Sequence, residues 1–340
     1  MRAVIYTQTG DAAVLQVVER AMAEPPEGEV RVRVVASGVN PTDWKSRSGA
    51  FGRSPSEPTV PNHDGAGIVD AVGSGVAGIE AGDRVWMTLA ADGRPASGTA
   101  QEYTVVPAER VFALPDGADF ELGASIGIPG ATAHRALTVA EDGPARLHPD
   151  ALRDRTVLVA GGAGAVGNAA IQLARWAGAT VIATTSSEAK AQLAGLAGAH
   201  HVVNYRDTDA ADQIRRVAPV GVDVIVEVAA GSNAELDQSV LKPGGAIAIY
   251  ANDGDIPFAP DVRANMVLNA RYQFVLLYTV GWERIANAAA DLNQAIDEGA
   301  FRVGEQAGLP VHHFDLDDTA AAHDAVEGGA VGKVLITVSD

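Results

Sequence analysis

Thr156-Val157-Leu158-Val159-Ala160-Gly161-Gly162-Ala163-Gly164-Ala165-Val166-Gly167 is a short apolar run that breaks into glycines and then enters an Ala-rich stretch. The run has the length and β-branched content of a buried strand, and the residues from about Ala165 to Ala177 read as a helix. Between them, Gly162, Gly164 and Gly167 satisfy G-x-G-x-x-G in the strand, turn and helix setting that gives this pattern its meaning. One glycine turns the chain, one lets backbone N–H groups approach a pyrophosphate, and one lets the helix pack on the strand. The helix start at Ala165 and Val166 presents partial positive charge to phosphates. This stretch predicts a dinucleotide site.

Working outward, strand-like runs recur at Thr180 to Thr185, His201 to Asn204, Val222 to Val228 and Ala246 to Tyr250, with helical stretches between them. That alternation predicts an α/β fold with a doubly wound parallel sheet. The first stretch differs: short β-rich runs at Val30 to Ala36, Ala66 to Val72, Arg84 to Leu89 and Tyr103 to Pro107 are punctuated by Gly and Pro, which predicts a largely antiparallel domain. After about residue 265 the pattern is mixed, with a helix near Glu283 to Glu298 and a closing strand at Lys333 to Val338. The expected organisation is a nucleotide domain over residues 126–265, inserted into a first domain made of 1–125 and 266–340.

At 340 residues the chain is long enough for two cores. Its formal charge of -18 argues against a nucleic-acid partner, since neutralising phosphates needs clustered Lys and Arg. Anionic membrane surfaces are disfavoured for the same reason. With no cysteine there is no disulfide, no thiolate nucleophile and no Cys-based zinc site. No apolar run reaches the length of a membrane span and no h-region opens the chain, so a cytoplasmic protein is expected.

About twenty residues after Gly167, where an acid would hold the ribose 2′-hydroxyl of NAD, the chain reads Thr184-Thr185-Ser186-Ser187. No carboxylate stands there to repel a 2′-phosphate. Ser186 and Ser187 offer hydroxyl donors and Lys190 a cation, which predicts NADPH over NADH. Spacing alone leaves open a second reading of Lys190, as a solvated helix lysine.

The whole chain resembles the medium-chain dehydrogenase/reductase superfamily, in its zinc-free quinone oxidoreductase (zeta-crystallin-like) branch. The resemblance rests on Ala36-Ser37-Gly38-Val39-Asn40-Pro41-Thr42-Asp43, Asn62-His63-Asp64-Gly65-Ala66-Gly67-Ile68-Val69, Gly82-Asp83-Arg84-Val85, the glycine turn, Asn204-Tyr205-Arg206, Leu241-Lys242-Pro243-Gly244-Gly245 and Gly332-Lys333-Val334. It implies a GroES-like catalytic domain, a Rossmann domain, NADPH, and a homodimer formed through the Rossmann domain. It also implies that Lys190, Tyr205 and Ser186 or Ser187 surround the 2′-phosphate. Val228 and Tyr250, at the ends of two later strands, and Phe274 and Leu276, in the segment Phe274-Val275-Leu276-Leu277-Tyr278, are implied to line the cofactor. Lys333 matches a lysine near the cofactor in some relatives; a surface lysine before the last strand is the other reading.

In the zinc-dependent cousins a cysteine stands where Asn40 stands here, and a Gly-His-Glu run where Asn62-His63-Asp64 stands. His63 is then an inherited ligand position, but one imidazole and one carboxylate do not make a three-ligand site, and no metal is expected. Without a Lewis acid, the expected substrate is one already electron-poor, a quinone or another conjugated carbonyl. Asn40, Asp43 and Lys45 lie on the loop implied to line the cleft, where Asn40 would donate to a carbonyl oxygen and Lys45 would stabilise enolate charge. An extended segment would put Asp43 and Lys45 on one face. Turn chemistry is the competing reading of Asn40-Pro41-Thr42-Asp43. Many quinone reductases carry a tyrosine at the position of Lys45, and the Asp43-Trp44-Lys45 run is closer to enone and 2-alkenal reductases of the same branch, so a double-bond reductase is a rival. A further alternative is an NADPH-binding structural or redox-sensing protein with little catalysis.

Overall fold

A computed structural model describes residues 1–254 and 256–339. The chain divides into two compact units, Met1–Ile128 with Pro310–Asp340, and Pro129–Leu309.

The first unit is built on a mostly antiparallel sheet. Its order is Val311–Asp315, Lys333–Thr337, Glu29–Val39, Asp64–Val72, Arg84–Met87 and Val111–Ala113, and Tyr103–Pro107 adds to Glu29–Val39. Only the first pair runs parallel. The long strand Glu29–Val39 organises the unit. Its first half alternates buried and half-exposed residues, as a sheet with one covered face requires, and its last residues are buried on both faces. Val30, Val32, Val69, Val85 and Met87 fill one core; Val4, Val39, Val60, Leu316, Val334 and Ile336 fill another. Two register shifts against Asp64–Val72 bend the strand pair.

The second unit holds a six-stranded sheet, parallel throughout, ordered His201–Asn204, Thr180–Thr185, Thr156–Val159, Val222–Glu227, Leu241–Ile249 and Arg271–Phe274. Numbered along the chain this is 3-2-1-4-5-6, the doubly wound dinucleotide-binding order. All six residues of Val222–Glu227 are buried, as befits a strand covered on both faces.

One boundary differs from expectation. Residues 266–309, expected in the first domain, belong to the second unit. The reason is local: Arg271–Phe274 pairs in parallel with Leu241–Ile249 and extends the Rossmann sheet instead of returning to the antiparallel one. Among the described residues, no helix is long and apolar enough to cross a membrane.

Candidate functional site

The glycine turn has a distinct steric demand at each position. Gly161 takes φ +67°, the left-handed conformation that turns the chain off the buried strand. The sequence pattern starts at Gly162 and so passes over this turn-maker. A Cβ on Gly162 would lie 2.9 Å from the Ala183 Cβ, and one on Gly167 only 2.3 Å from the Gly161 carbonyl oxygen. These two glycines are demanded by packing. Gly164 is different, for a Cβ there would meet nothing nearer than the Gly161 oxygen at 3.5 Å. It caps the helix Ala165–Trp176 with no side-chain hydrogen bond. The first-turn amides of Ala165, Val166 and Gly167 thus lack both intrahelical acceptors and a capping side chain, and Gly164 is exposed while Ala165 and Val166 are half-exposed. This is a cradle whose shape and polarity fit a pyrophosphate.

The neighbouring strands bring a second group together. Thr180–Thr185 and His201–Asn204 pair in register up to Thr185 opposite Asn204, so the residues that follow each strand emerge side by side. From one come Ser186, Ser187 and Lys190. Ser187 caps the helix Glu188–Leu196, its Oγ accepting from the Lys190 N–H at 3.4 Å. From the other comes exposed Tyr205, whose N–H donates to the Thr185 carbonyl at 3.1 Å. Arg206 lies 6.0 Å from the Tyr205 ring centre. Sequence reading passed over Arg206, although its place directly after Tyr205 was a usable signal for a second cation at this edge.

At the opposite edge the implied residues are less closely gathered. Val228 lies over Gly161, its Cγ1 3.1 Å from where a Cβ on that glycine would be. Tyr250 is half-buried, and burial followed by the negative charge of Glu227 raises its phenol pKa. Phe274 and Leu276 are 63% and 57% exposed, at and just beyond the end of the edge strand, with Phe274 edge-on to Phe258 at 6.2 Å.

In the first unit, Asn40 does not sit in a loop. It precedes a helix, Pro41–Ser48, with Pro41 at its first position and the Asp43 carboxylate accepting from the Asn40 N–H at 2.7 Å. The loop expected for Asp43 and Lys45 is therefore corrected to a helix, and the shared face that an extended segment would have given them does not arise. Two residues along a helix are about 200° apart, so Asp43 turns inward and is buried while Lys45 stays half-exposed, 5.7 Å from the Trp44 ring centre.

The Asn40 side chain is 2% exposed and held on both sides. Its Nδ2 donates to Asp64 Oδ2 at 2.8 Å, and its Oδ1 accepts from Lys333 Nζ at 3.0 Å. Since a carboxylate only accepts and an ammonium only donates, the amide orientation is fixed. One Nδ2 hydrogen is committed to Asp64, and the other is the donor Asn40 has left. Asp64 also accepts from the Ile128 N–H at 2.8 Å and the Thr88 hydroxyl at 2.9 Å.

Lys333 is not a surface lysine. It is 2% exposed, in the first unit, and also donates to the Val39 carbonyl at 2.7 Å. Its position follows from the pairing of Val334 with Val39. Gly38 makes room for it, because a Cβ there would lie 2.1 Å from the Ala124 carbonyl oxygen and 3.1 Å from Lys333 Nζ.

Two buried carboxyl groups and one ammonium in a small volume shift one another's titration. Burial, then Asp64, push Asp43 up to about 8, against the pull of its bond from Asn40 and of Lys333. Burial raises Asp64, opposed by Lys333 and its hydrogen bonds, and burial lowers Lys333 to about 8. His63 Nε2 is 4.0 Å from Asp43 Oδ1, and burial followed by Arg110 depresses its pKa to about 4, so it is neutral at pH 7. Among the described residues no three His, Asp or Glu side chains gather as a metal site.

Comparison with known proteins matches both parts of the chain. Residues 26–116 match the alcohol dehydrogenase GroES-like domain, and residues 165–294 the zinc-binding dehydrogenase family. A quinone oxidoreductase of Lama guanicoe is 34% identical over 343 residues, covering 99% of this chain and 97% of its own length. Among solved structures, Escherichia coli quinone oxidoreductase complexed with NADPH superposes with a TM-score of 0.82 at 28% identity, covering 99% of this chain and 100% of that one. An NAD-dependent alcohol dehydrogenase superposes with a TM-score of 0.84, also at 28% identity, with both chains fully covered.

Proposed function

This chain belongs to the medium-chain dehydrogenase/reductase superfamily, in its quinone oxidoreductase branch, and from that premise we propose that it is a cytoplasmic NADPH-dependent reductase of quinones or other conjugated carbonyls. The observation that carries this reading is the uncapped, uncrowded helix start at Gly164, set between packing-constrained Gly162 and Gly167. When bound, NADPH supplies the hydride. The chain's own residues do the rest. The amides of Ala165, Val166 and Gly167 hold the pyrophosphate, and Ser186, Ser187, Lys190, Tyr205 and Arg206 receive the 2′-phosphate. The remaining Asn40 N–H polarises the acceptor's carbonyl, with its orientation set by Asp64 and Lys333. Val228, Tyr250, Phe274 and Leu276 form the apolar surroundings of the cofactor.

The Asp43-Trp44-Lys45 run supports a second reading, in which the acceptor is an enone or 2-alkenal and half-exposed Lys45 stabilises the enolate. Steady-state NADPH oxidation against ortho-quinones, para-quinones and 2-alkenals separates the two, and turnover should persist in a chelator. Tight NADPH binding with no turnover on any of them would refute both. Lys190→Ala should weaken NADPH at least about tenfold while leaving NADH nearly unchanged, as loss of one charge-assisted contact requires. Equal weakening of both nucleotides would remove the 2′-phosphate assignment and favour an NAD enzyme.

A further inference from the structure

In a chain with 43 acidic and 25 basic residues, a place where cations gather is built against the average charge. One such place lies within the second unit, in a cavity of about 310 Å³ lined by Arg135, Thr138, Pro144, Glu283, Arg284 and Asn287 among others. Arg135 comes from the last turn of the helix Phe120–Leu137, and Arg284 from the first turn of the helix Trp282–Asp297. Each guanidinium makes one hydrogen bond to a nearby backbone carbonyl, Arg135 to Thr138 at 3.2 Å and Arg284 to Val280 at 2.9 Å. Their other donors are uncommitted, and among the described residues neither has a carboxylate within 4.0 Å.

The acids nearby do not neutralise the pair. His134, on the cavity wall, bonds through Nε2 to Asp291 at 2.7 Å. Asp291 also accepts from Arg146 Nε at 2.8 Å and the Leu147 N–H at 2.7 Å, so its charge is already shared among three donors. Glu283 is the carboxylate on the wall. Burial, followed by the charges of Arg284 and Arg271, lowers the basicity of Arg135, the reverse of what a salt-bridge partner would do.

We propose that this cavity binds a small phosphate monoester, through residues other than those of the glycine turn. Two guanidinium forks and the Asn287 amide suit a group with three acceptor oxygens better than a carboxylate, whose two oxygens a single fork saturates. Glu283 accepts from a hydroxyl on the same ligand and repels a second phosphate, which favours a phosphorylated polyol over a polyphosphate. The cavity is at the small end of ligand sites, large enough for a molecule of that size.

The test is calorimetric titration of the whole protein with glycerol phosphate, and separately with pyrophosphate, at constant ionic strength and with NADPH present to fill the glycine turn. Glycerol phosphate should bind one to one and more tightly than pyrophosphate. Arg284→Gln should weaken it about tenfold or more, as expected for one lost charge-assisted contact, and Arg135→Gln with Arg284→Gln should abolish it. Arg284 is exposed, so the single variant should fold if the double one does not, which circular dichroism checks. Absence of binding, binding unchanged in Arg284→Gln, or competition by NADPH would each overturn the proposal. A protein that binds glycerol phosphate in an Arg284-dependent way yet fails to bind NADPH would instead sink the reductase reading and leave this site standing.

Discussion

Asp43 is a buried carboxyl group whose titration folding has displaced. Its folded value of about 8 lies above the ordinary 3.8, so folding favours the proton-bound form. The stability it contributes is full below pH 4 and is lost as the pH rises toward 8. Compared with Asp43→Asn, which keeps an oxygen to accept from the Asn40 N–H, the wild type should lose at least about 1 kcal/mol between pH 4 and pH 8, since each tenfold change in proton affinity on folding is worth about 1.4 kcal/mol. Urea melts of both proteins across that range measure it, and a constant difference would show that Asp43 ionises normally. Lys333 has the opposite role. Lys333→Met would leave the Asn40 side-chain carbonyl without its donor and remove the buried positive charge that acts on Asp64, and should destabilise the fold by about 3–5 kcal/mol, as leaving a buried charge uncompensated does. A loss within the range of a surface substitution would mean that water replaces the ammonium.

At the scale of elements, the glycine turn separates packing from binding. Gly167→Ala places a methyl group 2.3 Å from a backbone oxygen and should lower both stability, by about 1–3 kcal/mol, and nucleotide affinity. Gly164→Ala has room in the protein itself, so its melting temperature should stay near wild type while NADPH binding falls. Thermal melts paired with nucleotide fluorescence titrations distinguish the two; a Gly164→Ala protein with full affinity would mean that phosphate does not approach there. The turn was legible in the sequence because strand, glycines and helix are contiguous and each leaves its own period. The helix after Asn40 was missed, although Asn, then Pro, then Asp three residues after the cap is a recognised helix-start pattern, because the same residues also spell a turn. The Asn40, Asp64 and Lys333 network had no local signature. Asp64 and Lys333 lie 24 and 293 residues from Asn40 along the chain, and only antiparallel pairing of Val334 with Val39 brings the lysine in. The misplaced boundary at 265 has a similar cause: Arg271–Phe274 is four residues long and mostly polar, too short to reveal which sheet it joins.

For the molecule as a whole, the open edge of the parallel sheet matters most. Phe274 and Leu276 are exposed at and just beyond its last strand, and Val262, Met266 and Val267 are exposed on the helix that precedes it. A sheet edge flanked by apolar side chains is a site for self-association, which supports the homodimer through this unit that the resemblance implies, and we propose that pairing. Light scattering after gel filtration should give twice the chain mass, and Met266→Glu combined with Phe274→Glu should give the monomer; a monomeric wild type would refute the pairing. The inner strand Lys333–Thr337 has its own implication for biosynthesis. It separates Val311–Asp315 from Glu29–Val39, yet leaves the ribosome only after the entire parallel sheet has been made. Until it emerges, the nascent first unit leaves Ala36 to Val39, the last part of its longest strand, unpaired on one side and lacks the positive charge that acts on Asp64. That unit should therefore stay protease-sensitive in chains arrested before residue 333.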